Sequence, residues 1–483
     1  MPQMQSILDG IEFAGSGGGG PLSLNQEGRL LLEGTHTARL VPFHVVRCFA
    51  LDGRYDAAAI ERALNDIIQR HESLRTGFNR LSDSAPNAPG LTQMVGAPRF
   101  APFIRPDASL SLVTHAPSDS EYLGAYSAAL RRVATEFNRP FDLDRPPLMR
   151  ASVVRVNAQK HLLVVVVHHL LADDWSMQIF ERELRAAYES FAAGLEPSLP
   201  LPAMRYGDFA TWQRQQLESG CLAASLAYWK EQWRTYGDAQ LSVRDLPFGR
   251  VTGQMTLVAR EDHVSFDRPS WTDIQQFARD RKVTVYALLL AAFVRALHLA
   301  THKDRIAIWG QFANRLRFET ENVIGWFANA QLLGFACEQM DSPESLLAQA
   351  RKVAVGANNH QVIPPAFLWA FLERLPERPS HFLTDAWVSF DLKADRRVDE
   401  AEPPTLEPVH VPVPKVVRGI QMLAVRRRNS LSITATYSQE TFDRSGVRAL
   451  LTSMQDSVDL LVGRGWSTNS SSGRDPAVRI TTG

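Results

Sequence analysis

Cysteine is scarce in this chain, which contains only three among its 483 residues. Cys48, Cys221 and Cys337 lie far apart, so they predict neither a disulfide framework nor a cysteine-based metal site. The adjacent pair His168 and His169 also lacks the zincin spacing, in which one helical turn containing a Glu separates two histidine ligands. We therefore expect no metal site.

A surplus of one charge is also missing, because 52 Lys and Arg residues balance 52 Asp and Glu residues. Nothing in this balance favours binding to nucleic acid or to an anionic membrane. The most apolar stretches, 162–172 and 286–300, are shorter than a transmembrane span. Residues 1–13 lack the basic region and long apolar run of a signal peptide. These absences predict a cytoplasmic protein without nucleic-acid or membrane partners.

Hydrophobic periodicity predicts a mixed α/β chain, and the length predicts more than one domain. Helices are expected over 56–69, 122–137, 225–236, 270–281 and 284–299 and directly after Trp175, and strands over 148–156, 161–169, 306–310 and 430–437. Three prolines within 195–202 indicate a lobe boundary. We predict a flexible lead-in at 1–20, an N-terminal lobe at 21–195, a C-terminal lobe at 196–465 and a disordered tail at 466–483.

The most informative stretch is VVVVHHLLADDWS at 164–176. Its four consecutive valines predict a strand buried on both faces, which ends at His168 and His169. Because neighbouring strand side chains point to opposite faces, only one of the two imidazoles can face a given cavity. A neutral imidazole at such a strand end can serve as a general base, since its ordinary pKa lies near operating pH. A purely structural histidine is the alternative.

Several segments resemble, in the same order, the signature motifs of the condensation domains of nonribosomal peptide synthetases. The histidine run resembles the core His-His-x-x-x-Asp motif of that family. The other matching segments are 23–30, 70–78 (RHESLRTGF), 139–150, 206–212 (YGDFATW), 324–330 (IGWFANA) and 360–364. The resemblance extends from about residue 20 to about residue 460. Several ordered matches are far more specific than any single one.

The resemblance implies an α/β fold with two chloramphenicol-acetyltransferase-like lobes, which form a V-shaped pseudo-dimer with the active site in a tunnel between them. It also implies that an acyl or peptidyl carrier protein delivers a thioester on its phosphopantetheine arm. A small-molecule amine or alcohol then attacks the thioester, which forms an amide or an ester in nonribosomal peptide or hybrid polyketide biosynthesis. We expect a free-standing monomer that binds no cofactor of its own, and a domain excised from a larger synthetase is the alternative.

Residue roles follow from the resemblance, position by position. His169 corresponds to the catalytic histidine, either as a general base or as a group that orients the nucleophile. His168, Asp173, Arg75 and Arg315 are expected to be structural residues of the active site. Because a buried carboxylate needs a cationic partner, the two arginines are candidate partners of Asp173.

Asp174, Trp175, Ser176 and Asn329 are expected to line the tunnel. Asp174 departs from the family pattern, which usually has Gly at this position. A larger, charged side chain can narrow the passage for the donor arm or cap the following helix. Its negative charge would also favour a higher pKa of the His169 imidazole.

Two other functions compete with condensation. Acyl-CoA-dependent acyltransferases of the same superfamily, such as wax ester and diacylglycerol synthases, share the His-His-x-x-x-Asp pattern. The matches at 70–78 and 206–212 favour condensation over that alternative. Non-catalytic docking modules tend to lose the active histidine, whereas His169 is intact here.

Overall fold

The computed structural model describes residues 20–30, 43–52, 55–81, 100–115, 125–157, 159–250, 259–266, 269–365, 367–368, 387–394, 406–409, 419–427 and 430–463. The expected lead-in, except for its last residue Gly20, and the expected tail at 466–483 lie outside the described residues.

Ten α-helices and thirteen strands lie within this described part of the chain. The helices are α1 (Leu24–Leu30), α2 (Ala57–Arg70), α3 (Ala125–Asn138), α4 (Asp174–Ala192), α5 (Tyr206–Glu218), α6 (Ala223–Tyr236), α7 (Trp271–Asp280), α8 (Val285–Thr301), α9 (Pro343–Asn359) and α10 (Arg444–Val462). The strands are β1 (His44–Asp52), β2 (Thr76–Arg80), β3 (Phe100–Ile104), β4 (Val113–His115), β5 (Met149–Arg155), β6 (Lys160–His168), β7 (Ala259–Phe266), β8 (Arg305–Phe312), β9 (Asn329–Ala336), β10 (Trp387–Ala394), β11 (Glu407–Val409), β12 (Gly419–Arg427) and β13 (Ser430–Ser438). The helices and strands expected from periodicity are confirmed, with ends that shift by up to three residues.

Side-chain caps explain where several helices begin. The carboxylate of Asp56 accepts a hydrogen bond of 3.0 Å from the Ala59 N–H at the start of α2. The hydroxyl of Thr284 accepts one of 3.1 Å from the Ala287 N–H at the start of α8. Each cap satisfies one of the backbone donors that a first helical turn leaves unpaired. These capping residues can therefore be read directly from the sequence.

The first sheet has the strand order β11-β1-β6-β5-β4, with the histidine strand β6 in its centre. Leu163, Val165 and Val167 lie on one face of β6, in the core that this face shares with α2 and α4. Residues 162, 164 and 166 lie on the opposite face and belong to the core beneath α3. The expectation of a strand buried on both faces is confirmed, and β6 lies between α2 and α4 on one side and α3 on the other.

The second sheet has the strand order β7-β13-β12-β10-β8-β9. The apolar helix α8 lies in the centre of this lobe and contacts α9, α10 and β10. In the part of the chain that the structure describes, no single helix is long and apolar enough to cross a membrane, and α7 and α8 reach that length only as a pair bent by 99°.

The two lobes exchange short segments. Strand β11 comes from the second half of the chain but pairs antiparallel with β1, with Val409 opposite Cys48. Without β11, β1 would have an unpaired edge, which sheets generally cover. Leu24 of α1 lies in the core of the second lobe, and Ile324 lies in the core of the first. The expected division into contiguous lobes, 21–195 and 196–465, therefore needs correction at these places.

Candidate active site

The two histidines of the central strand face different surroundings. His168 is buried, and its ring lies edge-to-face with His44 at 5.5 Å and with Phe141 at 6.0 Å. Its Nδ1 accepts a hydrogen bond of 3.2 Å from the Leu170 N–H. Burial holds the pKa of His168 well below its ordinary value, so the ring is neutral. This environment agrees with the packing role expected for His168.

His169 lies at the junction of the two lobes and is held mainly by aromatic rings. Phe43 stacks on the imidazole, with ring centroids 4.6 Å apart and planes 13° apart. Trp326 of the second lobe approaches within 5.2 Å. The backbone N–H of His169 donates to the Phe43 carbonyl at 2.8 Å, but its buried Nδ1 has no hydrogen-bond partner among the described residues. The ring is therefore well oriented, while no side chain among the described residues forms a hydrogen bond with its Nδ1.

Burial lowers the pKa of His169, and the nearby backbone carbonyls of His169 and Ala172 and the charges of Asp173 and Asp174 act in the opposite direction. The Asp174 charge therefore acts on the imidazole pKa in the direction expected from the sequence, although burial outweighs it and the net shift is downward. A neutral imidazole is the protonation state that a general base requires.

Asp173 uses both carboxylate oxygens to join the lobes. Oδ1 accepts from the Ser176 N–H at 2.8 Å, which caps α4, and from Arg315 Nη2 at 3.3 Å. Oδ2 accepts from the backbone N–H groups of Phe327 and Ala328, each at 3.0 Å. A carboxylate offers about four lone-pair sites, so these contacts leave little capacity for a substrate. The contacts agree with a structural role for Asp173.

Only one of the two expected arginine partners reaches Asp173. The guanidinium of Arg315 is almost fully buried, and it also donates to the Ser176 hydroxyl at 2.8 Å and to the Val323 carbonyl at 2.9 Å. Arg75 instead donates from Nε to the Ile68 carbonyl at 3.2 Å, near the end of α2. The expectation that Arg75 pairs with Asp173 is wrong, because its cation satisfies a terminal helix carbonyl.

The four residues expected to line a tunnel occupy different environments. Ser176 and Asn329 have 0% and 1% of their surface exposed, so they cannot line an open passage, and that expectation is wrong for both. The Ser176 hydroxyl donates to the Gly325 carbonyl at 2.6 Å, and Asn329 Nδ2 donates to the Gln361 carbonyl at 2.6 Å. Each side chain donates a hydrogen bond to a backbone carbonyl that would otherwise be buried without a partner.

Trp175 and Asp174 retain exposed surface at the start of α4. Trp175 is 37% exposed, and its indole N–H donates to the Glu321 carbonyl at 3.0 Å. Asp174 is not the helix cap, since Asp173 fills that position. The Asp174 carboxylate instead forms an ion pair with Arg47 of β1 at 2.8 Å. Its lining role stays a prediction.

Sequence reasoning missed several residues outside the core motif that form hydrogen bonds with the loop after His169 and with the facing loop at 326–328. Gln26 of α1 donates from Nε2 to the Leu170 carbonyl at 3.0 Å, and Asn25 donates to the carbonyls of the 326–328 loop at 3.3–3.4 Å. Tyr206 donates to the Trp326 carbonyl at 2.6 Å. The two amides stand inside the matched segment 23–30, so buried amides in that segment were the available signal. Phe43 gave no signal, because it lies outside every matched segment.

A cavity of about 300 Å³ lies at the same junction, and its lining includes Arg182 of α4, Leu201 and Phe318. His169 is not part of its lining. We therefore place the candidate chemistry at the His169 imidazole rather than in this cavity. The described residues also contain no group of three or more His, Cys, Asp and Glu side chains that could hold a metal ion.

Comparison with known proteins identifies relatives of most of the chain. The family model described as "Condensation domain" matches residues 18–464. Chondramide synthase cmdD from Chondromyces crocatus is 32% identical over 365 residues, which are 75% of this chain and 9% of that protein. The beauvericin nonribosomal cyclodepsipeptide synthetase BEA1 from Gibberella fujikuroi is 31% identical over 329 residues, which are 67% of this chain and 10% of that protein.

Among solved structures, this chain is similar to a chain in the complex of the X-domain and OxyB from teicoplanin biosynthesis. The matched region covers 94% of each of the two chains. The TM-score is 0.69 at 20% sequence identity. This likeness shows the fold and confirms the α/β fold class expected from the sequence. The chain spans a tenth or less of the length of the curated relatives that it matches.

Proposed function

Because this chain belongs to the condensation domain family, we propose that it transfers an acyl group from a carrier-bound thioester to an amine or alcohol. Proteins of this family are acyltransferase-like, and the relatives named above are synthases, one of them a cyclodepsipeptide synthetase. A depsipeptide contains ester as well as amide bonds, so the proposal includes both products. We also propose that the acyl group arrives on the phosphopantetheine arm of an acyl or peptidyl carrier protein.

The contrast between the two histidines is the observation that supports this proposal. The Nδ1 of His168 accepts a hydrogen bond from the Leu170 N–H, whereas the Nδ1 of His169 has no hydrogen-bond partner among the described residues. His169 also lies where side chains of both lobes meet, with Phe43 on one side and Trp326 on the other. A neutral, oriented imidazole at a junction can act on substrates that approach from either lobe.

In the proposed reaction, the nitrogen or oxygen of the nucleophile forms a bond to the thioester carbonyl carbon. His169 accepts the proton that the nucleophile loses, the C–S bond breaks, and the proton passes to the leaving thiolate. A positioned base of this kind contributes roughly 10²–10⁴-fold to a rate. Holding both substrates in one site adds a further term, because it replaces a bimolecular encounter by an oriented one. The activated thioester comes from the partner, so the proposal asks for no cofactor on this chain.

Acyl loss from a loaded carrier protein tests the proposal. The carrier would be charged with a panel of acyl groups and mixed with amines and alcohols, and intact mass would report the acyl group that leaves it. We expect His169→Ala to slow transfer by about 10²-fold or more. His161→Ala is the matched control, because His161 lies near the start of β6 and His169 directly follows its end. Transfer at the wild-type rate in a folded His169→Ala variant would contradict the assignment.

The same assay separates the competing functions. An acyl-CoA-dependent enzyme would accept the CoA thioester of the same acyl group and ignore the loaded carrier. A docking module would show no transfer with either donor, even for the wild-type protein. Preferential use of the loaded carrier is the outcome that the condensation proposal requires.

A further inference from the structure

Phe43 lies directly opposite His169 at the end of the histidine strand. Strand β1 pairs antiparallel with β6, and His44 stands opposite His168 in that register. The pairing continues by one more residue, since the His169 N–H donates to the Phe43 carbonyl at 2.8 Å. Side chains that stand opposite each other on an antiparallel pair share one face of the sheet and pack together. The backbone ladder itself therefore places the Phe43 ring on the imidazole.

The contact between these two rings is a face-to-face stack. The planes of Phe43 and His169 differ by only 13°, with the centroids 4.6 Å apart. By contrast, Phe141 meets His168 edge-to-face, with planes 82° apart. The last torsion of a histidine side chain joins an sp³ carbon to an sp² carbon and has only a broad preference, so the backbone alone does not fix the ring plane. A flat ring that lies on the imidazole restricts this torsion.

No hydrogen bond to Nδ1 fixes the His169 ring within the described part of the chain, where this buried atom has no partner. A catalytic imidazole is often oriented by a third group that bonds to its second nitrogen. The Asp173 carboxylate is occupied by four other donors. A stack can supply the orientation instead, because it covers a face of the imidazole, while the lone pair that accepts a proton lies in the plane of the ring.

The Phe43 ring is itself held by groups from other elements. The guanidinium carbon of Arg29, in α1, lies 4.6 Å from its centroid. Trp326 of the second lobe meets it edge-to-face at 5.1 Å, and His168 does so at 6.1 Å. Cation–π contacts and edge-to-face pairs are both favourable arrangements for an aromatic ring. The surface on which His169 stacks is therefore fixed independently of His169.

We propose that Phe43 is a positioning residue, which fixes the plane of the His169 imidazole by stacking and so aims the base at the nucleophile. Phe43 takes no part in the proton transfer and acts only through the imidazole. This inference rests on the proposed function, because it assumes that His169 is the base.

Phe43→Leu tests the proposal, since it keeps an apolar side chain and the backbone hydrogen bond but removes the flat ring. A misplacement of about 1 Å can cost about 10²-fold in rate, so for a ring that is loosened rather than displaced we expect kcat with the loaded carrier to fall by about 10-fold. KM should change little. Phe43→Tyr keeps the ring and should keep the wild-type kcat. Phe141→Leu is the matched control beside the other histidine, and it should leave kcat unchanged.

NMR relaxation of a protein with labelled histidine rings measures the orientation directly, without substrate. The signals that disappear in His169→Ala identify the His169 ring. Its Cδ2–H bond should have a high order parameter in the wild type, and this value should fall below about 0.6 in Phe43→Leu. Phe43→Tyr and Phe141→Leu should keep the high value. A Phe43 that only stabilised the fold would lower the melting temperature without loosening this ring.

A folded Phe43→Leu variant with the wild-type kcat, or with an equally ordered His169 ring, would overturn the inference. A loss of kcat that Phe43→Tyr shares would also overturn it. If Phe43→Leu does not fold, Phe43→Met decides by the same criteria, since its flexible side chain fills space without a flat ring.

The same variants separate failure of the inference from failure of the proposed function. If His169→Ala abolishes transfer but Phe43→Leu does not slow it, only the inference fails. If neither variant slows transfer, His169 is not the base, and the proposed function and the inference fail together.

Discussion

Replacing Asp173 with Ala should destabilise this protein far more than it slows chemistry. The substitution would leave the Arg315 guanidinium and the N–H groups of Ser176, Phe327 and Ala328 without their acceptor. Breaking a buried ion pair costs about 3–5 kcal/mol, and leaving a buried donor unpaired costs about 1–3 kcal/mol. These terms are not additive, but together they indicate a loss near or above 4 kcal/mol. A whole domain is stable by only about 5–15 kcal/mol, so the variant should unfold or aggregate readily.

Urea unfolding followed by circular dichroism would measure this loss as a lower midpoint. Asp107→Ala is the control, because the Asp107 side chain is 78% exposed and its removal should change little. Asp173→Asn keeps the shape and loses the charge, so we expect an intermediate midpoint. A wild-type midpoint for Asp173→Ala would refute the structural reasoning. If transfer were lost in such a stable variant, Asp173 would have a direct role in the chemistry.

Three further predictions use the same assays. His168→Ala should cost about 3 kcal/mol of stability, as a buried ring is lost, and should retain transfer; equal loss of activity in folded His168→Ala and His169→Ala variants would reverse the two roles. Asp174→Leu should slow transfer from the loaded carrier if this residue borders the donor path, while the melting temperature falls only slightly, because the lost ion pair is partly exposed. Wild-type kinetics would reject the lining role. Acid should unfold the protein through His44, whose pKa burial lowers from 6.5 to about 4. Its neutral form is favoured by folding, so this stability is complete above pH 6.5 and disappears as the pH falls toward 4. The His44 difference amounts to about 3 kcal/mol, and His168, whose pKa burial also lowers, acts in the same direction. Urea midpoints that stay constant between pH 6.5 and pH 4 would contradict this prediction.

Short-range patterns were sufficient for the local elements and for the centre of the site. The caps at Asp56 and Thr284 and the valine run before His168 depend on residues within one turn or one strand. Strand alternation separated His168 from His169, because successive side chains of an extended chain must point apart. The ordered motif matches predicted the family and the fold as well, and the comparisons then showed both.

Contacts between distant segments decided the rest. Arg75 and Arg315 were equivalent candidates for the ion pair with Asp173 in the sequence. Only the tertiary structure, which brings a segment 142 residues away next to Asp173, shows that Arg315 forms this pair. Ser176 lies in the first turn of α4, which Asp173 caps. Its burial depends on the other lobe, where the Gly325 carbonyl accepts a hydrogen bond from its hydroxyl. The pairing of Asp174 with Arg47 joins a helix to a strand 127 residues earlier, and no local pattern specifies such a pair. Burial sets the direction of the His169 pKa, and burial is a property of the assembled lobes rather than of any short segment.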